Sequence, residues 1–192
     1  MASPGVLNLA NSGTNKMPEK RFSWTEYIPV TFTSVLFISQ IVIGIYLLPE
    51  VSQIEVLAYV GVGLYVFSGL IFGMLPVLEF RKKGRVSKGQ SYIHTTKLVD
   101  TGIYSVVRHP QYVTFMMWAI AGMLLFQHWT IILLGVPIFP LTYIDLIKAD
   151  KDAVEKFGDV YKAYVKKVPR TNFMLGLLRL IQSRRKQSQG SS

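Results

Sequence analysis

The run PVTFTSVLFISQIVIGIYLL, from Pro29 to Leu48, contains no charged residue and is interrupted only by threonine, serine, Gln40 and Gly44. Twenty residues at about 1.5 Å each match the roughly 30 Å hydrocarbon core of a bilayer. Trp24 and Tyr27 precede the run, where amphipathic rings favour the headgroup region. This stretch is a membrane span, and the rest of the chain follows the same pattern. A second run covers Ile54 to Leu78, a third Pro110 to Phe126, and a fourth Trp129 to about Ile147. Half of the 192 residues are hydrophobic, with a mean hydropathy of +0.33. The expected fold is an all-α integral membrane protein of about four transmembrane helices, with a cytoplasmic amphipathic helix near its C-terminus.

Short connections separate the runs. Gln127-His128 joins the third and fourth as a tight polar turn, so these two form a helical hairpin. Pro137 and Pro140 are expected to kink the fourth helix. Gly69 and Gly73, four apart in the second run, suggest close helix packing there, although glycine is common in membrane helices anyway. Between Asp152 and Val168, apolar Ala153, Val154, Phe157, Val160, Tyr161, Tyr164, Val165 and Val168 recur at three-four spacing opposite charged residues. This predicts an amphipathic helix that packs back on the membrane domain. Gly158 within it costs about 1 kcal/mol relative to alanine, which points to a packing reason or a local break. Phe173 to Ile181 reads as a short interfacial helix, and Gln182 to Ser192 as a disordered basic tail.

The domain organisation is therefore a polar tail over residues 1–25, a membrane domain over 26–172, and an interfacial helix with a basic tail over 173–192. The first apolar run lies too far from Met1 to resemble a signal peptide.

The net charge of +10 has a location. Of the 21 lysines and arginines, 3 fall in the N-terminal tail, 7 in the central polar segment 79–109 and 11 after the fourth run. The two connections on the opposite side have none. The positive-inside rule then puts both termini and the central loop in the cytoplasm. The same distribution accounts for the basic excess through orientation and contact with membrane lipid, not nucleic acid. The chain has no cysteine, which excludes disulfides, thiolate nucleophiles and cysteine-ligated metals. His94, His109 and His128 are too scattered to argue for a metal site.

Chemistry concentrates where the central loop enters the third run, at Thr101-Gly102-Ile103-Tyr104-Ser105-Val106-Val107-Arg108-His109-Pro110-Gln111-Tyr112. Pro110 suits the first turn of a helix, placing Arg108 and His109 at its N-terminal edge. Free backbone N–H groups there favour a carboxylate or phosphate, and Arg108 adds a fixed charge. Tyr104 and Tyr112 offer faces to a cation or a flat ring. At the end of the fourth run stand Asp145 and Asp150. Acids at a membrane boundary are functional candidates because burying their charge is costly. Five residues apart, they diverge by about 140° around a helix, so both cannot point into one site.

These residues also carry a resemblance. Leu98-Val99-Asp100-Thr101-Gly102-Ile103-Tyr104 followed by Arg108-His109-Pro110-Gln111-Tyr112 is similar to the signature of the isoprenylcysteine carboxyl methyltransferase and phospholipid methyltransferase superfamily. Phe157-Gly158-Asp159-x-Tyr161-x-x-Tyr164 and Val168-Pro169-Arg170 resemble that superfamily's C-terminal segment. The resemblance spans Leu98 to Arg170 and implies an enzyme that uses S-adenosylmethionine to methylate a lipid or lipophilic acceptor. It implies a cofactor site lined by Leu98, Val99, Tyr104, His109, Pro110 and Tyr112, with Arg108, Asp145 and Asp150 as catalytic candidates. Three positions depart from the pattern. Thr114 replaces a glycine and is expected to narrow the approach to the cofactor. A glutamate pair falls on Ala149 and Asp150, and a substrate-binding arginine falls on Asp145. That reversal suits a cationic or neutral acceptor. Two other readings stay open: an NADPH-dependent membrane reductase of the sterol reductase type, and a non-catalytic membrane protein. The acceptor, the oligomeric state and the choice between a prokaryotic plasma membrane and the endoplasmic reticulum are not legible.

Overall fold

The computed structural model describes residues 28–50, 53–83 and 98–189. Trp24, Tyr27, the tail over 1–25, and Arg85, Lys88, His94 and Lys97 of the central loop lie outside them. Every element among the described residues is helical: α1 (Ile28–Leu47), α2 (Glu55–Ser68), α3 (Leu75–Lys83), α4 (Pro110–Phe126), α5 (Trp129–Gly135), α6 (Ile138–Phe157), α7 (Asp159–Lys167) and α8 (Phe173–Gln189). A π-helical stretch, Gly69–Met74, joins α2 to α3, so the second run continues as 29 helical residues to Lys83.

Among the described residues, three helices are long and apolar enough to cross a membrane: Ile28–Leu47, Glu55–Lys83 and Trp129–Phe157. The third run forms a helix of 17 residues, about 25 Å long, somewhat short of a full hydrocarbon core. The long helices project beyond the apolar layer and carry charge there, with Arg81, Lys82 and Lys83 in the last turn of α3. The burial pattern is that of a protein dissolved in lipid. Phe32, Val35, Val42 and Ile45 of α1 face outward, whereas Gln40, Ser68, Thr142 and Asp145 are buried. Apolar side chains lose nothing against lipid, while polar ones must find partners inside the bundle.

Gln40 shows how that works. Its Nε2 donates to the carbonyls of Ala119 (3.1 Å) and Ile131 (3.3 Å), tying α1 to α4 and α5. α2 packs along α4, and the closest approach is at Gly61, where a Cβ would lie 2.8 Å from the Ala121 carbonyl oxygen and 2.9 Å from the Leu125 nitrogen. The pair expected at Gly69 and Gly73 makes looser contact: the nearest atoms are those of Trp118 at 3.3 Å and Thr114 at 3.8 Å, both side chains. The residue that lets two backbones meet is thus Gly61, on the same α4-facing side as the four-residue repeat but where the helices approach more closely.

The α4–α5 hairpin turn is as tight as its two polar residues suggest. Gln127 adopts the left-handed conformation (φ 49°), and its side-chain amide both accepts from the Ile54 N–H (2.9 Å) and donates to the Ile54 carbonyl (3.0 Å). His128 caps α5 by accepting from the Thr130 N–H. Pro137 interrupts the fourth run as expected, dividing it into α5 and α6. Pro140 does not add a second kink, because it falls in the first turn of α6, where no intrahelical N–H is needed.

Two boundaries differ from the sequence reading. α6 does not end near Ile147 but runs to Phe157, since nothing between Lys148 and Phe157 breaks a helix. The break comes at Gly158, with φ +57° and ψ −133°, a backbone region essentially reserved for glycine. A Cβ there would meet no neighbour, so conformation and not packing explains the residue. The expected single helix over 152–168 is therefore the end of α6 and, after this corner, α7. α8 likewise extends past Ile181 to Gln189, including most of the stretch expected to be an unstructured basic tail.

Candidate functional site

The corner at Gly158 folds α7 back toward the N-terminus of α4, and a knot of polar side chains forms where they meet. Asp150, near the end of α6, is its centre. Arg108 Nη1 donates to Asp150 Oδ1 (3.0 Å), and Tyr161 O–H donates to the same oxygen (2.6 Å). His109 Nε2 lies 2.6 Å from it as well, and an ionised carboxylate there makes Nε2 the protonated, donating nitrogen. Arg170 Nε donates to Oδ2 (2.8 Å). The guanidinium of Arg170 also lies over the Tyr143 ring, 5.7 Å from its centroid.

The backbone joins in. The Arg108 N–H donates to the Pro169 carbonyl (3.0 Å) and the His109 N–H to the Arg170 carbonyl (3.2 Å). Tyr164 O–H donates to the Tyr104 carbonyl. The loop before α4, the end of α6, α7 and the segment after it are thus held as one cap. This alters the anion site expected from sequence: the two N–H groups before Pro110 are already used, and the free end of Arg108 is neutralised internally. What remains open is the Nε of Arg108, buried without a partner, and the first-turn N–H groups of Gln111 and Tyr112.

Burial, followed by the hydrogen bond to Asp150, pushes the Tyr161 phenol well above its ordinary value. Burial does the same for Tyr164, with neighbouring Tyr161 adding to it. Both therefore act as neutral donors. A raised folded-state value contributes stability that is complete below the unfolded phenol value of 10.0 and is lost as pH rises above it. Chemical unfolding between pH 9 and pH 11 should show wild-type stability falling more steeply than that of a Tyr161→Phe/Tyr164→Phe variant, with equal slopes counting against the assignment.

Beside this knot opens a cleft of about 610 Å³, a figure that includes its solvent-open mouth. Its wall is built from the loop before α4 (Leu98, Val99, Tyr104, Arg108), the start of α4 (His109, Pro110, Gln111, Tyr112), Phe80 of α3, Ala153 and Phe157 of α6, and Tyr161 and Tyr164 of α7. Leu98, Val99, Tyr104, His109, Pro110 and Tyr112 thus share one cavity with Arg108. His109 sits at the N-cap of α4 and Pro110 in its first turn, as the Arg-His-Pro order suggests. Thr114 does not narrow this cleft. It is buried on another face of α4, with Oγ1 near the Ser68 and Pro110 carbonyls (3.4 Å each).

Residues 85–155 match the model of the Isoprenylcysteine carboxyl methyltransferase (ICMT) family. The resemblance is to this family. A protein from Schizosaccharomyces pombe named Protein-S-isoprenylcysteine O-methyltransferase is 35% identical over 98 residues, which cover 46% of this chain and 42% of that protein. The chain thus spans less than half the length of the curated relative it matches. No solved structure matches. The family segment contains Arg108, His109, Asp145 and Asp150, while Tyr161, Tyr164 and Arg170 lie beyond it.

A second cavity, of about 570 Å³, lies among α1, α4 and α6, lined by Val30, Thr33, Ser34, Phe37 and Ile38, by Tyr112 and Phe115, and by Ile138, Thr142 and Asp145. The 140° divergence of Asp145 and Asp150 has this result: Asp145 lines the second cavity, whereas Asp150 is turned into the polar knot of Arg108, His109, Tyr161 and Arg170. Tyr112 belongs to both walls. Sequence reading missed the α1 side of this cavity, and it missed Arg170 as a partner of Asp150. A polar residue every few positions in α1 (Thr33, Ser34, Gln40) was the available signal.

Proposed function

We propose that this protein is a membrane methyltransferase that takes its methyl group from S-adenosylmethionine and transfers it to a lipophilic acceptor. One observation carries the reading: the six side chains that the family resemblance assigns to a cofactor site line a single cleft beside Arg108. The donor set fits. The buried, unpartnered Nε of Arg108 and the open first-turn N–H groups of α4 suit a carboxylate. Tyr104 and Tyr112 offer aromatic faces to a cation, and Leu98, Val99, Phe80 and Phe157 offer apolar walls to a flat base. When bound, S-adenosylmethionine supplies an electrophilic methyl group on a sulfonium.

The protein's own part is positioning and water exclusion, which suffice for an in-line displacement whose charge disperses in the transition state. Arg108 and His109 touch the donor. Asp150, with every short contact turned inward, positions them and acts on no substrate directly. Asp145 belongs to the acceptor side, and Tyr112 stands between the two sides. The distribution of lysine and arginine supports a cytoplasmic cleft with both termini on that side.

Calorimetric titration of detergent-purified protein tests the assignment. S-adenosylmethionine should bind wild type and bind His109→Ala at least about tenfold more weakly, since a hydrogen bond to a charged group is worth about 1.5–3 kcal/mol. Binding unchanged in that variant removes the site from this cleft. Binding of NADPH in place of S-adenosylmethionine replaces the methyltransferase with a reductase.

A further inference from the structure

The second cavity is lined mostly by apolar side chains, and three of its polar side chains lack partners among the described residues. Asp145 is only 9% exposed and, among the described residues, forms no ion pair or hydrogen bond. Lys148, three residues on, attracts it electrostatically without closing to an ion pair. Thr142 Oγ1 and Thr33 Oγ1, from α6 and α1, are also buried without a partner. Single unpartnered atoms occur elsewhere in the bundle, as at Gln40 Oε1 and Tyr65 O–H, but here two orphaned hydroxyls on facing helices share a cavity with a largely buried carboxylate, which marks a place where something else completes them. A carboxylate out of water is costly unless a cation joins it. Val30, Phe37, Phe115 and Ile138 line the remainder of the cavity and suit an alkyl chain.

We propose that this cavity receives a lipophilic amine, its ammonium held by Asp145 and the two threonine hydroxyls and its chain lying between α1 and α4. The site excludes a carboxylate head of equal length, because two anions would then share one low-dielectric pocket. Tyr112, which walls both cavities, puts the amine's head next to the proposed donor cleft. Calling this amine the methyl acceptor rests on the function proposed above; its binding does not.

The test is photolabelling of the full chain in phosphatidylcholine nanodiscs near neutral pH. Three probes of one length, each with a diazirine in its chain, are dodecylamine, dodecanol and lauric acid. The amine should label peptides of α1 and α6 about tenfold more strongly than the other two. Asp145→Asn should abolish that preference, and Asp145→Arg should transfer it to the acid. Folding of each variant is checked by thermal unfolding, and the comparison among probes within wild type needs no variant. Equal labelling by all three probes, or an amine preference that survives Asp145→Asn, overturns the proposal. Titration of the same preparation with S-adenosylmethionine separates the two claims. Amine preference without cofactor binding retains this site and removes methyl transfer, whereas cofactor binding without amine preference does the reverse.

Discussion

Asp150→Asn should be the most destabilising single substitution in the cap, lowering stability by about 3–5 kcal/mol, the range for a buried ion pair that loses one partner. The carboxylate accepts from two arginines, a histidine and a tyrosine on three separate segments. Its asparagine replacement keeps one oxygen, loses the charge that both arginines pair with, and turns an N–H₂ toward a site where the arginines can only donate. The Arg108 side chain is 6% exposed, so water cannot replace what it loses. Arg170 is 34% exposed, and Arg170→Gln should cost only about 1 kcal/mol or less. The effect should be local. α7 and the linker after it should separate from α4 while the apolar helices remain, because those are held by contacts remote from Asp150. Hydrogen exchange should therefore show faster exchange across α7 and residues 168–172 with little change in α2. S-adenosylmethionine binding should fall with it. Asp150→Glu, which keeps the charge, should recover part of the loss. A variant whose cap exchanges as slowly as wild type would falsify the hub role.

The contrast between Asp150 and Asp145 shows what sequence alone conveyed. Helical periodicity established that the two acids diverge, and membrane placement established that both are costly. Neither could say which acid is internally neutralised. That depends on Arg170, which reaches Asp150 only because Gly158 turns the chain back, and a corner that sharp is invisible to an amphipathic pattern running smoothly from Asp152 to Val168. The apolar runs were legible because length and charge exclusion are properties of contiguous sequence. The His109-Pro110 helix entry was legible because proline's fixed φ and missing N–H act locally. The second cavity was not: its walls come from three helices as far apart in sequence as Val30 and Asp145, and only packing brings Thr33, Tyr112 and Asp145 together. Gly61 was missed for a related reason. A four-residue glycine spacing identifies a possible helix contact, but how closely the helix approaches α4 along its length decides which glycine is used.

Tyr112→Ala should lower methyl transfer by about 100-fold, the order expected when reacting groups lose their alignment by about an ångström. The ring is the shared wall of both cavities, held by edge contacts with His109 (centroids 5.7 Å apart) and Phe115 (6.4 Å). Without it the two spaces merge, water enters between them, and neither ligand is aligned against the other. The loss should therefore appear mainly in kcat, with the KM for S-adenosylmethionine changed much less, because the Arg108 Nε and the α4 N-terminus remain. Tyr112→Phe keeps the wall and should stay within a few-fold of wild type. The measurement is radiolabelled methyl transfer into a total lipid extract, alongside prenylcysteine analogues and long-chain amines, with S-adenosylmethionine affinity taken by calorimetry on the same preparations. Should Tyr112→Ala lose cofactor affinity in proportion to its rate, the ring would be a donor contact and not a partition. Should Phe and Ala behave alike, the hydroxyl would be what matters, and the separation of the two cavities would have to reside in another side chain.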